Sequence, residues 1–372
     1  MKKPRICLIY TGGTIGMERH EEEGKIVLRP SDEPERFLDR LGAAEAARQL
    51  ADIEIVTPFG KGLDSTNIVP ANWTAMAKAV YQRMDDYDGF VIAHGTDTLH
   101  FTASALAFAF GKHLNKPVVL TGAQTTPDIT HGDARINILR AVMVACKPIA
   151  EVVVAFGEYV FRGCQVQKKD ERRFDAFESP AAFPLGYITE EIALSDFAKR
   201  PEKTPQTLDF KPDFADGIVQ ISLIPGLKPD SLMPILQAED VRGVVLQSFG
   251  AGNVPDQGNY SFVHFIETAT GFHKPVVIAS QFPANSTLDS HYEPGVKAVK
   301  AGAISTGNMT NAAATAKFRW ALHQVDKRID AESAWTARDR VRLVSEIMAK
   351  IFVKEMNSTE NAEDRHNLGE TQ

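Results

Sequence analysis

Residues 5–17 read RICLIYTGGTIGM, an apolar run around Ile6, Leu8 and Ile9 that stops at Tyr10 and gives way to a glycine loop. A short run without polar alternation reads as a strand covered on both faces, and its loop then lies beyond the strand's carboxyl end. The same punctuation returns in GFVIA before HGTDT (89–98), KPVVL before TGAQTT (116–126) and EVVVAFG (151–157). Helical patterns separate these runs: ANWTAMAKAVYQRM, TASALAFAFGKHL and ARINILRAVMVA. Such alternation builds βαβ units on a mostly parallel sheet. A polar, proline-spaced stretch over 194–217 interrupts it and reads as a linker. Alternation resumes in GIVQISLIPG, GVVLQSFG, KPVVIASQ and GAISTGN, followed by the helical TNAAATAKFRWAL. The expected architecture is therefore α/β with two domains. A larger N-terminal domain, a mostly parallel sheet flanked by helices, covers 1–193, and a smaller C-terminal α/β domain covers 218–330. A terminal helix is expected over 331–355 and a polar, disordered tail over 356–372.

Composition narrows the function. The chain has 372 residues, 44% of them hydrophobic, enough for two ordinary cores. Its formal net charge of −7 is spread as mixed signs, so neither nucleic acid nor an anionic membrane has electrostatic support. A small ligand is the expected partner. MKKPRICLIY meets the glycine loop before a signal core can form, and no stretch approaches eighteen apolar residues. The cysteines, Cys7, Cys146 and Cys164, are odd in number and lack a CxxC, which points to a reducing, cytoplasmic setting and to neither a disulfide framework nor a zinc site. Cys7, inside the first strand, reads as a small core residue.

The loops beyond the strands share one chemistry. TGGTIG lacks the lysine of a phosphate-binding P-loop, and Gly12, Gly13 and Gly16 do not fit GxGxxG. It offers two hydroxyls instead, Thr11 and Thr14. HGTDT brings Thr96, Asp97 and Thr98; GLDSTN brings Asp64, Ser65 and Thr66; LTGAQTT brings Thr121 and Gln124. Parallel sheets bind ligands at such loops, and backbone N–H groups freed by glycine can hold an oxyanion. Blander roles stand beside these: Thr96 and Asp97 as helix caps, His94 as a hydrogen-bonded core histidine. A threonine used as a nucleophile needs a proton-accepting or relaying neighbour. Lys168 and Lys169 in RGCQVQKKDERRFDAF are candidates, and the same run reads equally as solvated surface.

Together TGGTIG, DGFVIAHGTDT, KPVVLTGAQ, the RG pair followed by a lysine, FDAFESP and SFGAGNVP make the chain, over roughly 4 to 325, similar to the bacterial-type L-asparaginase/glutaminase family, and most to its cytoplasmic type I branch. The resemblance implies cleavage of the L-asparagine side-chain amide to aspartate and ammonia, with weaker glutamine activity. Thr14 matches the nucleophile that forms a β-aspartyl ester, Thr96 and Asp97 a second catalytic threonine and its carboxylate, and Lys168 the lysine completing that trio. Asp64, Ser65, Thr66 and Gly95 are the implied substrate-binding positions, Ser65 for the α-carboxylate, with Asn253 looking toward a neighbouring subunit. No metal or organic cofactor is implied. A homodimer or homotetramer is. The family's lid tyrosine has no counterpart here: Lys25 aligns with it in MERHEEEGKIVLRPSD, an acidic loop with Gly24 as the expected pivot. Two other readings compete. One is the asparaginase-like subunit of a tRNA-dependent amidotransferase, disfavoured by a motif that starts ten residues from Met1. The other is a non-catalytic amino-acid-binding relative.

Overall fold

The computed structural model describes residues 2–31, 33–282, 293–332 and 334–357. The chain divides into two compact units, residues 1–213 and 214–372. The strands of the first are β1 (Arg5–Tyr10), β2 (Met17–Glu22), β3 (Lys25–Pro30), β4 (Asp52–Val56), β5 (Gly89–Ala93), β6 (Val118–Thr121), β7 (Val152–Phe156), β8 (Tyr159–Arg162), β9 (Gln167–Lys168), β10 (Phe177–Glu178), β11 (Gly186–Ile188) and β12 (Ile192–Leu194). Its helices are α1 (Phe37–Arg40), α2 (Ala44–Leu50), α3 (Pro70–Tyr81), α4 (Leu99–Phe110) and α5 (Ala134–Ala145).

Eight of these strands form one sheet in the order β12-β11-β8-β7-β6-β5-β1-β4. The β4-β1-β5-β6-β7 part is parallel throughout, and β5 and β7 are buried at every residue because helices cover both faces. The far edge differs: β7 turns back at Gly157 into antiparallel β8, and β11 and β12 continue antiparallel. In the parallel part, order along the sheet reverses at β1 and β5. Loops leaving those two strands part to opposite faces and open a crevice at their carboxyl ends.

The acidic segment after TGGTIG is no open loop. It is a hairpin of β2 and β3 in register from Met17↔Pro30 to Glu22↔Lys25, turned by Glu23 and Gly24, both in the left-handed region. Two successive positive φ angles make the primed turn whose twist suits a hairpin. Lys25 thus sits at the hairpin end opposite Glu22, and the base is tied outward by Glu18–Arg40 at 3.1 Å and Arg19–Asp128 at 2.7 Å.

Residues 194–213 hold no helix or strand beyond Leu194, yet they are laid on the first unit. Phe210 stacks on Tyr81 and Phe110, Lys211 N–H donates to Ala109 O at 2.9 Å, and Thr74 Oγ1 donates to Pro212 O at 2.9 Å.

The second unit contains β13 (Ile218–Ser222), β14 (Gly243–Ser248), β15 (Val276–Ser280) and β16 (Ile304–Ser305), a parallel sheet in sequential order. With it go α6 (Met233–Gln237), α7 (Val263–Gly271), α8 (Glu293–Lys300), α9 (Asn311–Ala331) and α10 (Arg340–Met348). The terminal helix expected over 331–355 is corrected to α10 alone. A capping box between Thr336 and Asp339 starts it late, and Lys317 draws the carbonyls of Met348 and Lys350 out of the helical path at its end. Lys317 and Glu355 are both fully buried and paired at 2.6 Å. The tail expected from 356 lies outside the described residues from 358 onward. Among the described residues no helix is long and apolar enough to cross a membrane.

Candidate active site

Three loops meet at the carboxyl ends of β1 and β5, backbone on backbone. Thr11 N–H donates to Ala93 O (3.0 Å), Leu63 N–H to Thr11 O (2.8 Å) and Gly13 N–H to Leu63 O (2.9 Å). Gly12 and Gly13 have φ of 105° and 79°, and a Cβ on Gly13 would lie 2.2 Å from Gly95 Cα. A Cβ on Gly95 would lie 2.5 Å from Ser65 Oγ. Only glycine allows that approach. Because Gly13 and Gly95 touch, and consecutive Cα atoms are 3.8 Å apart, the Cα atoms of Thr14 and Thr96 lie within roughly 11 Å of each other. Tyr10 supports the rim from below, its hydroxyl donating to Gly16 O at 3.2 Å and its ring 5.0 Å from that of Phe37.

The two threonines of TGGTIG part company here. Thr11 is 2% exposed and its hydroxyl donates to Ala93 O at 2.8 Å, so it is a structural tie between β1 and β5. Thr14 opens a short 3-10 turn after Gly13 and is half-buried. Its hydroxyl and its backbone N–H have no hydrogen-bond partner among the described residues. One hydroxyl is locked and the other is available.

Lys168 reaches the rim from β9, held through Phe177↔Lys168 pairing with β10. Its ammonium donates to Thr96 Oγ1 at 2.9 Å and to Asp97 Oδ1 at 2.6 Å. Lys169 instead turns to Asp175 at 3.3 Å, which separates the two lysines the sequence left open. The Lys168 side chain is 13% exposed and that of Asp97 58%, so the carboxylate still faces solvent. Arg162 is buried away from the rim against Glu151 at 2.7 Å.

Asp64 and Thr66 are engaged with each other: Asp64 Oδ1 accepts from Thr66 N–H and Thr66 Oγ1, both at 2.9 Å, capping the turn that carries Ser65. Ser65 is buried beside Gly95, and its carbonyl accepts from Thr98 Oγ1 at 2.8 Å. Asn253 belongs to the second unit, where its N–H donates to Phe249 O at 2.8 Å in a tight loop.

His94 is a core histidine. Its Nδ1 donates to Gly95 O at 2.7 Å, and its Nε2 accepts from Thr102 Oγ1 at 3.0 Å, which in turn accepts from Trp73 Nε1. Burial pushes its pKa down to about 4, so the ring is neutral. The sequence reading misses His100 and gives Gln124 no partner. His100, on the first turn of α4, is likewise pushed down to about 4 by burial and then by the Lys168 charge, and its sealed Nδ1 has no partner among the described residues. Gln124 Oε1 accepts the Thr96 hydroxyl at 3.1 Å. The sequence shows Gln124 only as one polar residue of a loop, and nothing local marks His100.

The chain is similar to known proteins over most of its length. Residues 5–199 match the family described as Asparaginase, N-terminal, and residues 218–333 the Glutaminase/Asparaginase C-terminal domain. The chain is 34% identical to an L-asparaginase of Thermococcus kodakarensis over 318 residues, 86% of this chain and 92% of that protein. It is 33% identical to L-asparaginase 1 of Escherichia coli K12, over 87% of this chain and 93% of the relative. It is also 33% identical to a glutamyl-tRNA(Gln) amidotransferase subunit of Aeropyrum pernix, over 86% of this chain and 74% of that one. Among solved structures, the thermostable L-asparaginase from Thermococcus kodakarensis superposes with a TM-score of 0.79 at 30% identity, covering 95% of this chain and all of the other.

Proposed function

The chain belongs to the asparaginase family, and from that premise we propose that it hydrolyses the side-chain amide of L-asparagine to L-aspartate and ammonia through an ester on Thr14. The observation that carries the reading is the contrast at the rim: Thr14 has a free hydroxyl where Thr11 has a committed one, beside the Lys168–Thr96–Asp97 cluster.

In the first step Thr14 Oγ1 attacks the amide carbon. Backbone N–H groups of Thr14 and Thr96, neither carrying a hydrogen bond among the described residues, take the oxyanion. The C–N bond breaks and the proton lost by Thr14 ends on the departing ammonia. In the second step water attacks the ester, Thr14 recovers its proton and aspartate leaves. Thr96, which accepts from the Lys168 ammonium, holds that water. Ser65 and Gly95 receive the α-carboxylate end and exposed Asp97 accepts from the α-ammonium. Asp64 and Thr66 act by shaping the turn under Ser65. Weaker glutamine turnover, a cytoplasmic setting and a homo-oligomer with Asn253 facing a neighbouring subunit belong to the same proposal.

A second reading is favoured by the identity to the Aeropyrum pernix protein: amide hydrolysis serving a tRNA-dependent amidotransferase. A non-catalytic amino-acid binder is the third. An ammonia-release assay on asparagine, glutamine and small amides, repeated with Thr14→Ala, separates them. Ammonia from free asparagine that disappears in the variant supports the proposal. Binding without ammonia supports the binder, and turnover that appears only with a partner subunit and charged tRNA supports the amidotransferase.

A further inference from the structure

A hydroxyl has one proton and two lone pairs, and both neighbours of Thr96 Oγ1 have fixed roles. The Lys168 ammonium, at 2.9 Å, only donates; Gln124 Oε1, at 3.1 Å, only accepts. The Thr96 proton therefore points at Gln124 and away from Lys168. The amide cannot be turned round, because Gln124 Nε2 donates to the Asp170 carbonyl at 3.2 Å, and a flip would set two acceptors against each other there. The backbone behind it is locked as well. Asp133, 3% exposed, accepts from Gln124 N–H at 3.1 and 3.0 Å, Thr125 N–H at 3.0 Å, Thr125 Oγ1 at 2.9 Å and Asn137 Nδ2 at 3.1 Å.

We propose that Gln124, anchored by Asp133, is a positioning residue that sets the hydroxyl direction of Thr96. With its proton on Gln124 and one lone pair filled by Lys168, Thr96 keeps one lone pair open. That lone pair fixes the side from which the hydrolytic water is held. The inference rests on the reading of Thr96 as the group that meets this water.

The test measures kcat, KM and pH profiles for Gln124→Leu and Gln124→Glu. Gln124→Leu removes the acceptor and frees the hydroxyl to rotate, so kcat falls about ten- to hundredfold, the scale of a misplaced reacting group, while KM and the melting temperature stay near wild type. Gln124→Glu keeps an acceptor for Thr96 and, while its carboxyl is protonated, a donor for the Asp170 carbonyl; ionisation sets two acceptors against each other there, so kcat is best at acidic pH and falls along a new limb as pH rises. A Gln124→Leu variant with kcat within twofold of wild type, a parallel loss of KM and stability, or a Gln124→Glu variant as slow as Gln124→Leu at every pH overturns the proposal. Neutron diffraction of deuterium-exchanged wild-type crystals gives a readout independent of turnover. A deuteron between Thr96 Oγ1 and Gln124 Oε1 is expected, and one placed between Thr96 and a neutral Lys168 overturns it. If the wild type releases no ammonia, the functional reading above fails and the deuteron position alone decides this one.

Discussion

Replacing Glu355 with alanine is expected to cost the second unit about 3–5 kcal/mol, the range for breaking a buried ion pair from one side. Lys317 and Glu355 have no exposed surface, and their charges meet at 2.6 Å. Without the carboxylate, the Lys317 ammonium keeps the Met348 carbonyl at 2.9 Å, the Lys350 carbonyl at 2.5 Å and the Phe352 ring 5.5 Å away. Those contacts soften the loss and favour the lower end of the range. Against them, the backbone N–H groups of Phe352 and Val353 lose the acceptor that organises the turn. About 3 kcal/mol corresponds to a melting-temperature drop of roughly 10 °C for a unit of this size. The double variant Lys317→Met with Glu355→Leu removes both charges and is expected to recover most of that loss, since apolar replacement of a buried pair is close to neutral. Urea unfolding of wild type, both single variants and the double variant closes the cycle. A Glu355→Ala loss below 1 kcal/mol, or a double variant no better than the singles, would refute the argument.

Three other outcomes follow from the rim and the core. Thr11→Val is expected to lose about 1–2 kcal/mol of stability with the Ala93 hydrogen bond yet keep near-normal turnover, whereas Thr14→Ala keeps its melting temperature and loses kcat by several orders of magnitude; comparable activities for the two variants would remove the distinction. His94 titrates near pH 6.5 unfolded and near 4 folded, so below pH 6.5 the unfolded chain takes a proton the folded one refuses; its contribution is complete above that pH and falls by about 2 kcal/mol by pH 5. Denaturation curves at pH 7 and 5 check this against His94→Gln, which should show a shallower dependence. Burial pushes the Cys7 thiol up to about 12, so a thiol reagent at pH 8 should label it only under denaturing conditions, as followed by mass spectrometry.

The parallel half of the sheet is legible in the sequence because RICLIY, GFVIA and VVVAF are long enough to carry an unbroken apolar pattern, and each ends near a glycine. The antiparallel edge is not: β11 and β12 have three residues each, too few for a period, and become strands only by pairing with their neighbours in the sheet. The acidic hairpin hides behind its charge, since its apolar positions, Ile26 and Leu28, are exposed and bury little. Glycine turns mark the loops of Thr14 and Thr96 but leave Thr11 equally eligible, so it is the resemblance of TGGTIG and HGTDT to the family that singles those two out. Gln124 carries no such mark, and its bond to Thr96 comes only from the fold. The terminal helix is shorter than its sequence pattern because Glu355 pins irregular backbone through its contact with distant Lys317.

The bare backbone contact among Gly12, Gly13, Leu63 and Gly95 has a practical consequence for engineering. Any side chain larger than hydrogen at the three glycines would prise the crevice apart before it met a substrate, so randomising them yields misassembled rims and no altered selectivity.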